Sequence, residues 1–249
     1  MMEACESRSY SLLAEAYDDI VGHQFFALLR SMFERIVHRH RVTFSSAADL
    51  GCGTGLFARY LNSLWRVPVY AVDRSPAMLR VAASNCRGAD VTLLRQDIRR
   101  LVLPRAVDLV TANFDTVNHL LDDGDLPALF DRVHRHLRPG GHFIFDFITP
   151  CDPPSGTVHF RAARNGGKHV AQRIRWQPAR RLLLYDIVFR EHARAPRVEF
   201  HRERAYAPRD VAAWLADAGF ILRDVLDART LERAAHCPTR AIAIAKKRK

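Results

Sequence analysis

Apolar positions along this chain change period several times. From Ser9 to Arg39 they recur at helical spacing (Leu12, Leu13, Ala16, Tyr17, Ile20, then Phe25, Leu28, Leu29, Phe33, Ile36 and Val37). That is an amphipathic helical arm, with a break expected at Val21-Gly22-His23. Short apolar runs then alternate with helical patterns. Strands are predicted near Ser46–Leu50, Val67–Val72, Thr92–Arg95, Leu109–Phe114 and His142–Ile148, and helices near Leu56–Leu64, Pro76–Asn85 and Leu121–Leu137. Ser75-Pro76 is a cap followed by proline at the first helical position, a strong start signal. Alternation of this kind predicts an α/β fold, a mostly parallel sheet with helices on both faces.

After Pro150 the texture changes. Asp152-Pro153-Pro154-Ser155-Gly156 is a loop. Four runs rich in β-branched and aromatic residues follow: Thr157–Arg161, Val170–Trp176, Leu182–Phe189 and Val198–Tyr206, divided by Gly166-Gly167, Gln177-Pro178 and Ala195-Pro196. They predict an antiparallel insertion. The α/β pattern resumes with a helix over Pro208–Ala218, then Gly219-Phe220 and a last strand near Arg240–Ala245. The chain thus divides into a helical lid over 1–45, a nucleotide-binding core over 46–150, an antiparallel β insertion over 151–207 and the rest of the core over 208–249.

The richest stretch for chemistry is Asp49-Leu50-Gly51-Cys52-Gly53-Thr54-Gly55, which ends the first strand. Glycine admits a tight turn with positive φ and a close approach of backbone to ligand. Asp73 ends the second strand, placed to accept hydrogen bonds from two ribose hydroxyls. The spacing is G-x-G-x-G rather than the G-x-G-x-x-G that cradles a pyrophosphate. Asp49, just before the glycines, would repel a diphosphate and welcome a cation. A cofactor with a sulfonium and an ammonium group suits that charge.

With these residues in view, Asp49 to Gly55 resembles the first motif of the class I S-adenosylmethionine-dependent methyltransferases. Later segments agree in order: Asp73 at the ribose position, Arg95-Gln96-Asp97-Ile98 where the adenine is read, Asp108 to Phe114 as the fourth strand, and Leu137-Arg138-Pro139-Gly140-Gly141 as the turn before the fifth. The resemblance runs from about Tyr10 to Lys246 and is looser after Pro150. It implies a Rossmann-like seven-stranded sheet, mostly parallel with the last strand antiparallel. It also implies S-adenosylmethionine as methyl donor, leaving as S-adenosylhomocysteine. Tyr17, Asp49, Gly51, Cys52, Gly53, Asp73, Arg74, Met78, Asp97, Ile98, Asn113 and Phe114 are the expected cofactor contacts. Tyr17-Asp18 resembles a Tyr-Asp element of lids in small-molecule methyltransferases.

Candidate acceptor-side groups must lie at the carboxyl ends of the strands, on the lid or in the insertion. His119 follows the fourth strand, where relatives often carry a tyrosine, and is a candidate base. Asp146 stands among Phe145 and Phe147 on the fifth strand and needs a partner if buried. Glu199 and His201 alternate and share a face. His119, Asp146 and His201 are the candidate catalytic residues; Tyr10, Asp115, Glu199 and Tyr206 are the candidate substrate contacts.

Composition narrows the setting. The net charge of +11 and pI near 10 come mostly from arginines spread along the chain, with one dense run at Lys246–Lys249. An RNA target is the alternative this basicity raises. Against it, the fourth strand ends in Asn113-Phe114-Asp115-Thr116, without the Pro-Pro-Tyr of base-amine methyltransferases. A silent cofactor-binding subunit is a further alternative, opposed by the intact first and ribose motifs. The five cysteines are scattered, with no C-x-x-C, so neither a disulfide framework nor a metal site is expected. No apolar run approaches the ~20 residues of a membrane span, and Glu3 and Glu6 stand where a leader would be basic. The resulting expectation is a cytoplasmic enzyme, monomer or homodimer. It would methylate N or O of a small molecule in secondary or tailoring metabolism, a heterocycle such as an azapteridine being one candidate.

Overall fold

The computed structural model describes residues 10, 12–14, 16–162, 168–190, 195–234 and 236–249. Ser9, Cys5, the acids at Glu3 and Glu6 and the Gly166-Gly167 divider lie outside the described residues. The first long helix, α1 (His23–His40), is preceded without interruption by a wide helical turn over Asp18–Gly22. The break expected at Val21-Gly22-His23 is therefore absent. Gly22 keeps right-handed helical angles (φ −59°, ψ −49°); glycine weakens a helix but does not end one that is packed on both sides.

The alternating core follows: β1 (Ala47–Leu50), α2 (Leu56–Trp65), β2 (Val69–Asp73), α3 (Pro76–Asn85), β3 (Val91–Arg95), β4 (Val107–Ala112), α4 (Asp125–His136) and β5 (Leu137–Ile148). The Ser75 hydroxyl caps α3 by accepting the Met78 N–H at 3.3 Å, as its sequence signal predicted. β5 starts five residues earlier than expected. Its Pro139-Gly140-Gly141 segment is accommodated as a shift in register against β4 between Val107 and Leu109.

The insertion forms its own antiparallel sheet of β6 (Gly156–Ala162), β7 (Lys168–Gln177), β8 (Leu182–Arg190) and β9 (Arg197–Arg204), paired in that order. Then come α5 (Pro208–Asp217), β10 (Phe220–Asp227) and β11 (Arg240–Lys247). β10 carries no clean alternation; a register shift between Leu222 and Asp224 spoils its period of two. The main sheet has the order β10-β11-β5-β4-β1-β2-β3. β3, β2, β1, β4 and β5 run parallel, and β11 is antiparallel to both β5 and β10.

Helices cover both faces. On one, α4 and α5 set Leu126, Phe130, Val133 and Leu215 against Leu50, Val110, Phe143 and Phe145. On the other, α1 and α2 set Phe33, Ile36, Phe57 and Leu61 against Ala47, Val69, Leu109 and Ile144. The second sheet turns Leu183, Ile187 and Phe189 of β8 toward Leu13, Ala16 and Ile20 of the arm. The arm thus spans the seam between the two sheets.

Cys151, just beyond β5, is joined to Cys237, just before β11, in a disulfide. This corrects the expectation of unpaired cysteines: spacing along the chain hides a pair that antiparallel neighbours bring together. Cys52 and Cys86 are buried and free. Among the described residues, no helix is long and apolar enough to cross a membrane, and no cluster could hold a metal ion.

Candidate active site

The turn after β1 is built as its glycines suggest. Gly51, Gly53 and Gly55 all have positive φ. A Cβ on Gly51 would collide with the Thr116 side chain, while one on Gly53 would stand in open space, in a cavity of about 740 Å³. That cavity crosses the carboxyl ends of β1, β2 and β4. Tyr17, Asp49, Gly51, Cys52, Gly53, Asp73, Arg74, Met78, Asp97, Ile98, Asn113 and Phe114 all line it.

Asp49 is buried, and its Oδ1 accepts from the Thr111 hydroxyl at 2.8 Å and the Asn113 amide at 3.5 Å. Burial pushes its carboxyl up to about 7 despite those two hydrogen bonds. Asp73 accepts the Gly53 N–H at 2.9 Å on Oδ2 and the Ser75 N–H at 2.8 Å on Oδ1. A carboxylate has about four lone-pair sites, so each oxygen can still accept a hydroxyl. Asp97 is differently placed. Arg99 grips both its oxygens, at 2.6–3.0 Å, and holds its carboxyl below the usual range. An adenine amine would have to share Asp97 with that guanidinium.

The arm is pinned to the same turn. Asp18 accepts the Thr54 hydroxyl at 2.6 Å and the Asn85 amide at 2.9 Å. Tyr10 and Tyr17 are thereby set between the 740 Å³ cavity and a second one of about 580 Å³, and with Asn113 and Phe114 they line both.

At this partition the acceptor-side residues gather. The Tyr10 hydroxyl lies 2.9 Å from His119 Nε2, and Glu203 Oε1 lies 3.7 Å from the same nitrogen. Burial first, then the neighbouring His201 and Arg74, push the His119 imidazole down to about 3, against a hydrogen bond to the backbone of Arg202. It is therefore neutral near pH 7. Nε2 and the Tyr10 hydroxyl share one hydrogen bond, whose direction follows the imidazole tautomer. Glu203 also accepts the Tyr185 hydroxyl at 2.7 Å, and burial and the nearby Asp115 carboxylate raise its pKa.

Asp146 lines the second cavity, bonded by its Oδ2 to Arg240 at 2.5 Å. Its Oδ1 accepts the Asp115 backbone N–H at 3.3 Å, and Asp115 itself binds Arg240 at 2.5 and 2.8 Å. Burial pushes Asp146 up to about 6, against the pull of Arg240. The ion pairs hold an unusual turn in place: Phe114 and Asp115 both have left-handed φ, +54° and +62°. Such angles cost about 1–3 kcal/mol each in non-glycine residues and tend to cluster at functional sites.

Two candidate substrate contacts sit elsewhere. Tyr206 lines neither cavity; it is buried with its hydroxyl donated to the Leu120 carbonyl. β9 ends at Arg204, so Tyr206 does not continue its face. Glu199 is fully buried and also lines neither cavity. Its carboxylate accepts the N–H groups of Tyr10, of Leu12 at 2.9 Å and of Leu13 at 3.2 Å, and it meets His201 Nε2 at 2.6 Å. Glu199 holds the arm rather than a ligand. His201 lines the second cavity, with its ring edge-on to Tyr10 at 4.4 Å.

Sequence reading missed Glu203, Tyr185 and Arg240. Glu203 carried a usable signal, since Glu199, His201 and Glu203 alternate along β9 on one buried face. Arg240 opens a strand, Arg240–Lys247, whose next five residues are all apolar, which also marks it as paired.

Comparison with known proteins agrees with this geometry. Residues 47–141 match the family model of a methyltransferase domain. A dTDP-3-amino-3,6-dideoxy-alpha-D-glucopyranose N,N-dimethyltransferase of Streptomyces fradiae is 32% identical over 129 residues, 49% of each chain. A putative methyltransferase of a Geobacillus species is 27% identical over 141 residues, 55% of this chain and 57% of the relative. The matches thus span about half the length of these curated relatives. Among solved structures, an S-adenosylmethionine-dependent methyltransferase from Clostridium acetobutylicum superposes with a TM-score of 0.80 at 25% identity, covering 96% of this chain and 99% of the other. The sugar N-methyltransferase KedS8 from Streptoalloteichus gives 0.81 at 18% identity over 100% and 97%, a likeness of fold.

Proposed function

We propose that this chain, which carries a methyltransferase domain and has the fold of the class I S-adenosylmethionine-dependent methyltransferases, methylates an amine nitrogen of a small molecule as a tailoring step of secondary metabolism. The observation that carries the reading is the Tyr10–His119–Glu203 cluster at the partition between two cavities, one of which fits the cofactor.

The fit rests on residues already described. The open space over Gly53 admits a ligand against the backbone, Asp73 suits a ribose diol, and Asp49 suits a cationic group. When bound, S-adenosylmethionine supplies a methyl group activated by its positive sulfur. The chain's own task is to align the acceptor nitrogen, exclude water and take up a proton. An amine arrives largely as ammonium, which the carboxylates of the second cavity favour. Only the free base of the amine is nucleophilic, so the residues around the acceptor nitrogen would have to take up its proton. Glu203, whose pKa burial raises, is placed to keep the departing proton, with the weakly basic His119 3.7 Å away as the group that would pass it on.

Two other readings have less support. For a flat heterocycle no separate observation speaks: Tyr10 meets Tyr17, His119 and His201 edge-on, at 6.4, 5.5 and 4.4 Å, so its ring is already engaged. An RNA base amine is disfavoured because the residues reaching both cavities after the fourth strand are Asn113 and Phe114, followed by Asp115 and Thr116, without the Pro-Pro-Tyr of base-amine methyltransferases.

The test is His119→Asn. Cofactor affinity by calorimetry should stay within about threefold, while kcat on an amine acceptor should fall by about 10²-fold, the usual range for lost acid–base help. Unchanged turnover with an unchanged pH profile would remove His119 from the chemistry.

A further inference from the structure

The second cavity bears on which amine is methylated. Its interior end is polar and acidic, where Asp115, Asp146 and Glu203 face the single guanidinium of Arg240. Asp227 and the exposed Arg229 lie at its margin and add no net charge. Most of the remaining wall is apolar, with Leu13 and Ile20 from the arm, Leu29 and Met32 from α1, and Val170 and Ile187 from the second sheet, interrupted by polar groups such as Gln172 and Tyr185. At the mouth the pattern continues into solvent. Phe25, Leu28 and Val158 line this cavity and are 44, 62 and 45% exposed, among the few large apolar side chains so exposed in the described residues. A chamber of about 580 Å³ is within the usual range for a drug-sized ligand.

Resting on the methyltransferase reading above, we propose that the acceptor is a lipophilic amine, whose amino group meets the carboxylate end of the second cavity while an uncharged apolar body fills the chamber and covers Phe25 and Leu28. The chamber is a poor host for an amine carried on a nucleoside diphosphate. A diphosphate would have to lie among mostly apolar walls whose inner charges are carboxylates in excess, with the half-buried Arg240 guanidinium already held by Asp115 and Asp146. Desolvating a phosphate there without a cationic partner is costly, whereas each methylene placed against the walls adds about fourfold to affinity.

The experiment uses the full chain with S-adenosylhomocysteine and a series of straight-chain primary amines from butylamine to dodecylamine, read by calorimetry. Affinity should climb about two- to fourfold per methylene over the first several carbons, and decanol should bind at least about tenfold more weakly than decylamine, having no charge for the carboxylates. Leu28→Glu, at an exposed position that the fold does not need, should flatten the dependence on length and leave cofactor affinity unchanged. Affinity independent of length, or tighter binding of an amino sugar on a nucleoside diphosphate than of decylamine, would overturn the proposal. Radiolabelled methyl transfer separates the two levels. Transfer to short amines with no dependence on length leaves the methyltransferase reading standing and removes the lipophilic acceptor. Length-dependent binding with no transfer to any amine does the reverse.

Discussion

Asp49 is a carboxylate held at the edge of ionisation. Burial pushes it up to about 7, so in the ligand-free protein it is partly protonated at neutral pH. The sign of the linkage follows. Its native pKa lies above its unfolded one, so ionising it costs stability that grows as pH rises from about 4 to 7. A bound cation favours the ionised form, so cofactor affinity should rise as pH increases toward 7 and level off above it. Below 7 binding must expel a proton, with a loss approaching tenfold per pH unit. Calorimetry at pH 6 in two buffers of different ionisation enthalpy should show proton release that is absent in Asp49→Asn; equal release from both would free Asp49 of this role. Asp73→Ala should weaken the cofactor by at least about tenfold, because two hydroxyls lose a charged acceptor, and an unchanged dissociation constant would contradict its ribose assignment. These residues were legible before any coordinates because their signals are local: a glycine that must admit a ligand, an acid at the end of a strand. That Arg240 gathers with Tyr185 and Glu203 at one cavity was not, since β11 lies far in sequence from β8 and β9, even where a residue such as Glu203 carried a local signal of its own. No spacing rule joins Asp115 to Arg240.

At the scale of elements, the arm and β9 form one device. Three N–H groups of the arm's backbone, at Tyr10, Leu12 and Leu13, donate to one Glu199 carboxylate, and His201 on the same strand keeps that carboxylate below the usual range against the effect of burial. Glu199→Ala should leave these N–H groups without an acceptor and release Tyr10 from His119. KM for the acceptor should rise by about tenfold or more and kcat should fall, with cofactor affinity changed less because Asp18 still ties the arm to Thr54. Amide exchange at Leu12 and Leu13 should speed up in the same variant; unchanged protection there would show the arm to be held by packing alone. The arm's helical character was readable from its period, but its continuity through Gly22 was not, because whether glycine interrupts a helix depends on tertiary packing. β10 was missed for a similar reason: the shift at Leu222–Asp224 breaks the alternation that identifies a strand.

On the scale of the whole molecule, the main sheet provides one wall of the reaction space and the inserted sheet provides the other, with the arm across the gap. That the core strands are parallel followed from the βα alternation, and the insertion from the change of texture after Pro150; the order of the strands in the sheet did not. The covalent tie between them did not, because Cys151 and Cys237 lie 86 residues apart. Closing a loop of that length removes about 4–5 kcal/mol of unfolded-chain freedom in the entropic picture. Reduction should therefore lower the Tm measurably, while dithiothreitol should leave the Tm of a Cys151→Ser, Cys237→Ser protein unchanged; an identical melting curve of the native protein with and without reductant would show that the tie adds nothing.

That tie makes the inserted sheet, α5 and β10 a lasso drawn shut beside Asp146 and Arg240. A protease cutting anywhere within the noose opens the chain without detaching it. The nicked protein should migrate as one species on a non-reducing gel and as two on a reducing one, with the acceptor chamber's two walls still shackled together.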